Sequence, residues 1–179
     1  MTDAAGRDGD LATVLETVRE RVTPDADERA AMRAVVDEVT ARAEAAVDDL
    51  PVAARVVQVG STARNTWLAG DRDVDVFVAF PPDLDRDALQ EYGLEVGHAV
   101  LPEGRQEFAE HPYVVGEVEG FDVDLVPCYD VGDATDIRSA VDRTPFHTAY
   151  LADRIDEAVA GEVRLCKQFL TAIGCYGSD

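Results

Sequence analysis

Two pairs of aspartates, each pair with one residue between its members, are the residues best placed to do chemistry. Asp73 and Asp75 open the alternating run Asp-Val-Asp-Val-Phe-Val-Ala-Phe, which predicts a β-strand. Side chains two residues apart on a strand share a face and lie about 6.6 Å apart. Asp122 and Asp124 repeat this spacing in a second apolar run, where a carboxylate is costly unless it is paired or binds a metal. Such carboxylates can hold the divalent cations of phosphoryl or nucleotidyl transfer; the alternative is a solvated acidic strand face.

A glycine and a serine precede the first aspartate pair. Gly60-Ser61 follows a β-branched run and precedes a predicted short helix, so its backbone N–H groups and hydroxyl could contact phosphate oxygens. Arg64, three residues on, offers a guanidinium suited to bidentate phosphate contact. An ordinary helix-capping serine and a surface arginine are the alternative. The order is the informative feature: strand, Gly-Ser, short helix, then Asp-x-Asp on the next strand.

The elements that must position these residues follow from periodicity and from helix and turn signals. Strands are predicted at 55–59, 73–80, 113–118 and 121–126, the last two as a hairpin turning at Glu119-Gly120 with Pro127 closing the second strand. Helices are predicted at 10–22, at 24–49 with Thr23 as N-cap, at 85–100, from Thr144-Pro145, and from about Asp153 to Gly174. The last carries Val159, Val163, Cys166, Leu170 and Ile173 at spacings of three and four. Strands followed by helices predict an α+β fold.

Composition narrows the class of protein. With 179 residues and 46% hydrophobic residues, the chain can form a packed core. Its 37 acidic against 16 basic residues give a net charge of −21, typical of a protein from a high-salt cytoplasm, where salt screens self-repulsion. No apolar run is long enough to span a membrane and the N-terminus is polar, so a soluble cytoplasmic protein is expected. The three cysteines form no CxxC pair, which favours reduced, partly buried thiols.

The order of motifs resembles the polymerase-β-like nucleotidyltransferase superfamily. The string VGSTARNTWLAGDRDVDVFVAF, with EFAEHPYVVGEVEGFDVDLVPCY, SAVDRTPFHTAYL and EVRLCKQFLTAIGCYGSD after it, resembles more narrowly the archaeal-type (class I) CCA-adding tRNA nucleotidyltransferases. The resemblance runs from about Arg55 to Asp179. It implies a catalytic head over 1–142, a mixed sheet flanked by helices, and the beginning of a helical neck over 143–179.

The resemblance also implies roles for individual residues. Asp73, Asp75 and Asp124 match the metal carboxylates of a two-metal Mg²⁺ site, and Gly60, Ser61 and Arg64 match the triphosphate contacts, whereas Asp122 matches no ligand. His147, Lys167 and Tyr176 match residues that hold the incoming ATP or CTP; without the resemblance they would be surface positions. The implied reaction is template-independent addition of CMP and AMP to the 3′ end of tRNA, with release of pyrophosphate.

Members of that family continue beyond a neck into a body and a tail that hold tRNA, so the resemblance implies that this chain covers only the catalytic N-terminal part. Impaired activity of this part and a homodimer of the full-length form both stay open. Two other functions also stay open. One is a nucleotidyltransferase of the same core that modifies a small molecule or a protein, and the other is an inactive nucleotide-binding fragment.

Overall fold

The structure is a computed structural model that describes residues 4–177, with side chains from Asp10 onward. Its helices are α1 (Ala4–Val22), α2 (Ala26–Asp48), α3 (Gly60–Ala63), α4 (Arg86–Val100), α5 (Arg143–Ala152) and α6 (Glu157–Ala172). Its strands are β1 (Arg55–Gln58), β2 (Asp73–Phe80), β3 (Arg105–Phe108), β4 (Pro112–Val118) and β5 (Phe121–Tyr129), and a 3-10 turn spans Ala134–Asp136.

The strands form one mixed sheet in the order β1-β2-β5-β4-β3. β2 and β5 are parallel neighbours, whereas the other pairs are antiparallel. α4 follows β2 and packs against β4 and β5, and the connection between the two parallel strands runs through α4, β3 and β4. Helices and a mixed sheet in one unit confirm the predicted α+β class.

The two faces of the sheet differ in what covers them. Val74, Val76 and Val78 face the main core, where they pack with residues of α2 and α4 such as Val39 and Val96. The alternate positions of β2 and β5 point to the other face, which carries a smaller cluster around Phe77, Val126 and Cys128. Because side chains alternate along a strand, Asp73 and Asp75 belong to this second face.

The predicted hairpin is present, but its second strand is longer than predicted. Glu119 and Gly120 both have positive φ, 52° and 79°, as a two-residue hairpin turn requires. Pro127 does not end β5, which continues to Tyr129. β4 pairs with β5 only as far as Leu125, so the proline, which lacks an N–H, lies beyond the last paired position on that side.

Two predicted helix starts are wrong by one or two residues. α2 is capped by Asp25 and not by Thr23, because the Asp25 carboxylate accepts from the backbone N–H groups of Asp27 and Glu28 while Glu28 reaches back to the Asp25 N–H. α5 begins at Arg143, one residue before Thr144-Pro145. α1 extends further toward the N-terminus than the predicted 10–22.

One strand was not predicted, and the apolar stripe of α6 is less buried than its spacing indicates. The sequence of β3, Arg-Gln-Glu-Phe, has no apolar alternation, and it pairs only with β4 at the sheet edge. On α6 the buried residues are Ala160, Gly161 and Arg164. Val159 and Ile173 of the predicted stripe are exposed by 42% and 54%.

None of the helices in the described part of the chain is both long enough and apolar enough to cross a membrane. The thiols of Cys128, Cys166 and Cys175 are free. Only Cys128 is buried, where burial raises the pKa of its thiol to about 12.

Candidate active site

The four strand aspartates lie close together because β2 and β5 are neighbours that run parallel and in register, which brings the N-terminal ends of the two strands side by side. Asp73 lies opposite Asp122, and Asp75 lies opposite Asp124. All four side chains therefore belong to the face that α2 and α4 leave uncovered. The register brings the predicted trio of Asp73, Asp75 and Asp124 together and adds Asp122, which the family resemblance matches to no ligand.

A glycine makes room for one of these carboxylates. Gly60 begins α3 with φ of 75°, and a Cβ placed on it would lie 1.8 Å from Asp75 Oδ2. Only glycine fits this backbone conformation and this close approach together. The Val59 N–H donates to the Asp75 carbonyl over 3.0 Å, and the Thr62 hydroxyl donates to the Asp73 carbonyl over 2.7 Å. These bonds fix the Gly-Ser turn against the start of β2.

Burial and mutual repulsion make it unfavourable for Asp73, Asp75 and Asp124 all to be ionised. Burial raises the pKa of the Asp73 and Asp75 carboxyls, and neighbouring aspartates raise it further. Burial, followed by repulsion from Asp75 and Asp73, raises the pKa of Asp124 to about 6. Arg64 acts in the opposite direction on Asp75, and Lys167 does so on Asp73. A cation between the carboxylates would remove this repulsion.

A cleft of about 360 Å³ joins the carboxylates to most of the predicted nucleotide contacts. It is lined by Gly60, Ser61, Arg64, Asp73, Val74, Asp75, Asp122, Asp124, Lys167 and Tyr176. The Lys167 ammonium lies 5.7 Å from the centre of the Tyr176 ring, so α6 and the segment after it present a cation and an aromatic side chain to the cleft. The two walls, α3 and α6, are far apart in sequence, and only the fold brings them together.

His147 lies elsewhere in the structure. It is exposed on α5, which contacts α3, but it is not among the residues that line the cleft. Sequence reasoning also missed Arg105, whose positive charge lowers the pKa of Asp124. Arg105 lies on β3, the strand with no apolar alternation, so no pattern pointed to it.

The donor set suits a hard divalent cation. Carboxylate oxygens are the ligands that Mg²⁺ prefers, and the raised pKa values of Asp75 and Asp124 indicate a site short of positive charge. As the side chains stand, no three His, Cys, Asp or Glu residues within the described ranges converge closely enough to enclose an ion. The aspartates therefore have the ligand chemistry for a cation and lie on one face of the sheet. As the side chains stand in the described residues, they do not enclose an ion site.

The sequence pattern of the nucleotidyltransferase domain family matches residues 39–147. The chain belongs to this family. The match covers β1, the Gly-Ser turn, all four strand aspartates and the beginning of α5. Members of this family generally use divalent metals, which agrees with the chemistry of the carboxylate site.

Close relatives of this nucleotidyltransferase domain carry the name CCA-adding enzyme. The protein of that name from Haloarcula marismortui is 68% identical over 166 residues, which are 93% of this chain and 36% of the relative. The one from Halobacterium salinarum is 64% identical and covers 95% of this chain and 38% of the relative. The one from Archaeoglobus fulgidus is 46% identical over 93% of this chain. The chain thus spans little more than a third of the length of these relatives.

Solved structures share the fold at low sequence identity. A cytoplasmic RNA terminal U-transferase superposes with a TM-score of 0.63 at 15% identity, covering 91% of this chain and 46% of the other. CdnC of E. coli MS115-1 with ATP gives a TM-score of 0.66 at 20% identity, covering 90% of this chain and 58% of the other. These likenesses establish the polymerase-β-like fold of the nucleotidyltransferase domain.

Proposed function

We propose that this nucleotidyltransferase domain is the catalytic part of a CCA-adding tRNA nucleotidyltransferase, which adds CMP and AMP from CTP and ATP to the 3′ end of tRNA and releases pyrophosphate. The observation that carries the proposal is the parallel register of β2 and β5, which sets Asp75 opposite Asp124 beside the Gly60 turn. The relatives named CCA-adding enzyme, at up to 68% identity among those compared, supply the substrate class.

Asp73, Asp75 and Asp124 would hold two Mg²⁺ ions. When bound, Mg²⁺ lowers the pKa of the attacking 3′-hydroxyl and neutralises the leaving pyrophosphate. The three carboxylates also exclude other anions from the reacting face until the cation has neutralised them. Asp122, exposed at the N-terminal end of β5, adds to the local negative charge.

The remaining cleft residues bind and orient the triphosphate. The first turn of α3 leaves backbone N–H groups without helical partners, and Ser61 adds a hydroxyl. Arg64 can bind phosphate through two parallel N–H bonds. Lys167 and Tyr176 lie on the opposite wall, where an ammonium can contact phosphate and a ring can stack on a base. We assign His147 to the nucleotide as well, on its match to the family alone.

The proposal also covers the domain organisation of the chain and the cellular compartment in which it works. Residues 1–142 would form the catalytic head, and 143–179, which hold α5 and α6, the beginning of a helical neck. The net charge of −21, together with relatives from Haloarcula marismortui and Halobacterium salinarum, supports a high-salt cytoplasm. The proposal includes pairing of the full-length protein into a homodimer.

Incorporation of radiolabelled nucleotides into tRNA lacking its CCA end tests this function. The 179-residue chain, in excess over tRNA at about 1 M KCl, should add C and A residues with Mg²⁺ and should not add U or G; the salt screens the acidic surface. Asp75→Asn should abolish addition. Asp83→Asn, which removes an exposed charge beyond the other end of β2, should not.

Other results would redirect the proposal. Mg²⁺-dependent CTP binding without any addition to tRNA would favour an inactive nucleotide-binding fragment. Label transferred to a small molecule or a protein would favour the other kind of nucleotidyltransferase. Addition of all four nucleotides at similar rates would contradict CCA addition.

A further inference from the structure

Four polar side chains tie the two walls of the cleft to each other. They are Arg29 on α2, Asn65 just after α3, and Glu157 and Arg164 on α6. None of the four lines the carboxylate cleft. We call this group the α3–α6 clasp.

Glu157 is the centre of the clasp because its two carboxylate oxygens have separate partners. Oε2 accepts from the Asn65 side-chain amide over 2.6 Å. Oε1 accepts from Arg164 Nη2 over 2.9 Å and from Arg29 Nη2 over 3.4 Å. Arg29 Nη1 also donates to Asn65 Oδ1 over 2.6 Å, which closes a ring of hydrogen bonds through Arg29, Asn65 and Glu157. The first residue of α6 is thereby bonded directly to the residue that follows Arg64.

Arg164 fixes the position of the Glu157 side chain on α6. Its side chain is only 1% exposed, and within the described part of the chain its Nε and Nη1 atoms have no hydrogen-bond partner. Glu157 therefore supplies the one carboxylate bonded to a buried guanidinium. Leaving a buried charge without its counter-charge is strongly unfavourable, so Arg164, on the same helix, holds the Glu157 carboxylate in the position from which it accepts from Asn65 and Arg29.

The Asn65 end is constrained by the backbone. Asn65 has φ of 54°, the left-handed region, which asparagine tolerates better than most residues. Its N–H donates to the Thr62 carbonyl, and the next N–H, of Thr66, donates to the Ser61 carbonyl over 2.9 Å. The backbone of Asn65 is thus bonded to the turn that carries Ser61 and Arg64.

These contacts point to a positioning role, and this inference rests on the proposed nucleotide site. We propose that Glu157 and Asn65 are positioning residues that set the separation between the Ser61–Arg64 wall and the Lys167–Tyr176 wall, and so set the affinity for the nucleoside triphosphate. Lys167 lies on the same helix as Glu157, so a helix held through Glu157 also holds Lys167. Glu157 contacts neither the phosphates nor the base; it acts through the helix.

A second ion pair on α6 provides a matched control. Glu162 accepts from Arg19 of α1 over 3.0 Å, and its side chain is 67% exposed, against 65% for Glu157. Both acids attach α6 to another helix or loop, but only Glu157 reaches the Asn65 loop. A difference between the two therefore reports on the cleft and not on general attachment of α6.

Glu157→Gln and Asn65→Asp break the same bond in opposite ways. In Glu157→Gln an amide can still accept from Arg164, but its NH₂ group then faces the NH₂ group of Asn65. In Asn65→Asp two carboxylates face each other. Each variant should bind CTP with Mg²⁺ on the order of tenfold more weakly, the size expected for one charge-assisted hydrogen bond. Glu162→Gln should stay within about twofold of the wild type, the scatter expected of an exposed ion pair.

The combined variant Glu157→Gln with Asn65→Asp restores a donor facing an acceptor. It should recover affinity to within about twofold of the wild type, since the amide now donates to the carboxylate and Arg29 keeps its acceptor. Isothermal titration with Mg²⁺ and CTP measures the affinities, and thermal melting of each variant reports its folding.

The outcomes separate the two proposals. Single variants that bind like Glu162→Gln, or a combined variant as weak as the singles, would overturn the positioning role. Single variants that fail to fold while the combined variant folds would also overturn it, because the bond would then serve the fold. A folded wild-type chain that binds no CTP with Mg²⁺ would instead defeat the proposed nucleotide site.

Discussion

Three aspartates in one half-buried patch are a costly arrangement for a chain on its own. Asp124 bears the largest effect, because burial and its acidic neighbours raise the pKa of its carboxyl to about 6. Carboxylates in such a setting are stabilised by a cation or by protonation. The residues thus carry a free-energy cost in the metal-free state that metal binding would remove.

Replacing Asp73, Asp75 or Asp124 with Asn should abolish Mg²⁺-dependent nucleotide transfer while the fold persists. Removing one negative charge relieves the repulsion that raises the neighbouring pKa values. The melting temperature of the metal-free variant should therefore be equal to or slightly above that of the wild type. A variant with near-normal transfer would exclude its residue from the metal site, and Asp83→Asn controls for the loss of a charge alone.

A buried histidine at the other end of the sheet gives the stability a pH dependence. His111 is 3% exposed, packs edge-on against Tyr129, and has no hydrogen-bond partner for either ring nitrogen among the described residues. Burial lowers the pKa of its imidazole and Arg86 lowers it further, although Asp142 and Glu110 act in the opposite direction. The unfolded chain therefore binds this proton more readily than the folded one, so its contribution to stability is lost as pH falls below about 6.5.

His111→Phe should remove this dependence, because an aromatic ring is kept against Tyr129 and nothing titrates. The free energy of unfolding of the wild type, relative to that of His111→Phe, should fall between pH 7.5 and 5.5, by at most about 1.4 kcal/mol for each unit of pKa lowering. Urea unfolding at fixed salt measures it. The comparison cancels the contribution of the cleft carboxylates to the pH dependence, because these carboxylates titrate in both proteins. Parallel profiles of the two proteins would contradict this role for His111.

At the scale of elements, the Gly-Ser turn and β2 depend on each other through Gly60 and Asp75. Gly60→Ala should cost about 1 kcal/mol for its positive φ, and its Cβ would drive the Asp75 carboxylate away from the cleft. Binding of CTP with Mg²⁺ should be lost. Gly70→Ala has a similar φ, 87°, and no described atom within 4 Å of its Cβ, so it should show the strain alone. Equal nucleotide affinities in the two variants would contradict the account of the turn.

The sequence predicts those elements whose side chains alternate or cap in a regular way. The alternation in β2 and the Glu119-Gly120 turn were sufficient to predict the strand and the hairpin, because both signals are local. β3 was missed because an edge strand with one exposed face needs no apolar pattern. The stripe on α6 suggested burial at Val159 and Ile173, yet the helix packs through the small Ala160 and Gly161, which permit the close approach of α1.

The site was predictable in its types of residue and less so in its geometry. Asp-x-Asp spacing and Gly-Ser order identified Asp73, Asp75 and Gly60, whereas the place of Asp122 depends on the register between two distant strands. Lys167 and Tyr176 came from family likeness, and the structure brings them into the cleft, though it leaves His147 outside the lining. Asn65 and Glu157 had no signal, since hydrogen bonds between distant side chains leave no period in a sequence.

At the scale of the whole molecule, the net negative charge favours binding of a small anion that brings its own cation over binding of a long polyanion. The chain has 37 acidic residues and 16 basic ones. Phosphate contacts by Lys and Arg supply most nucleic-acid affinity, and salt that screens the acidic surface also weakens those contacts. A triphosphate that arrives with Mg²⁺ and enters the cleft of Arg64 and Lys167 avoids this penalty.

The 179-residue chain should therefore bind CTP with Mg²⁺ but bind tRNA weakly and add nucleotides to it slowly. Filter binding at about 0.1 M and 1 M KCl should give no tRNA complex tighter than about 1 μM at either salt, the range of non-specific binding. The melting temperature should rise between the same two conditions, because self-repulsion is screened. A tRNA complex tighter than about 1 μM at either salt would mean that this chain already carries a dedicated RNA surface.

The most direct test of the central claim is a crystal structure of the chain with Mn²⁺ and a non-reactive CTP analogue, in which anomalous scattering locates the metal. We expect anomalous peaks bounded by Asp73, Asp75 and Asp124, with the triphosphate between the Gly60-Ser61 turn and Lys167. Manganese or nucleotide bound elsewhere in the molecule, with the cleft between α3 and α6 unliganded, would contradict it.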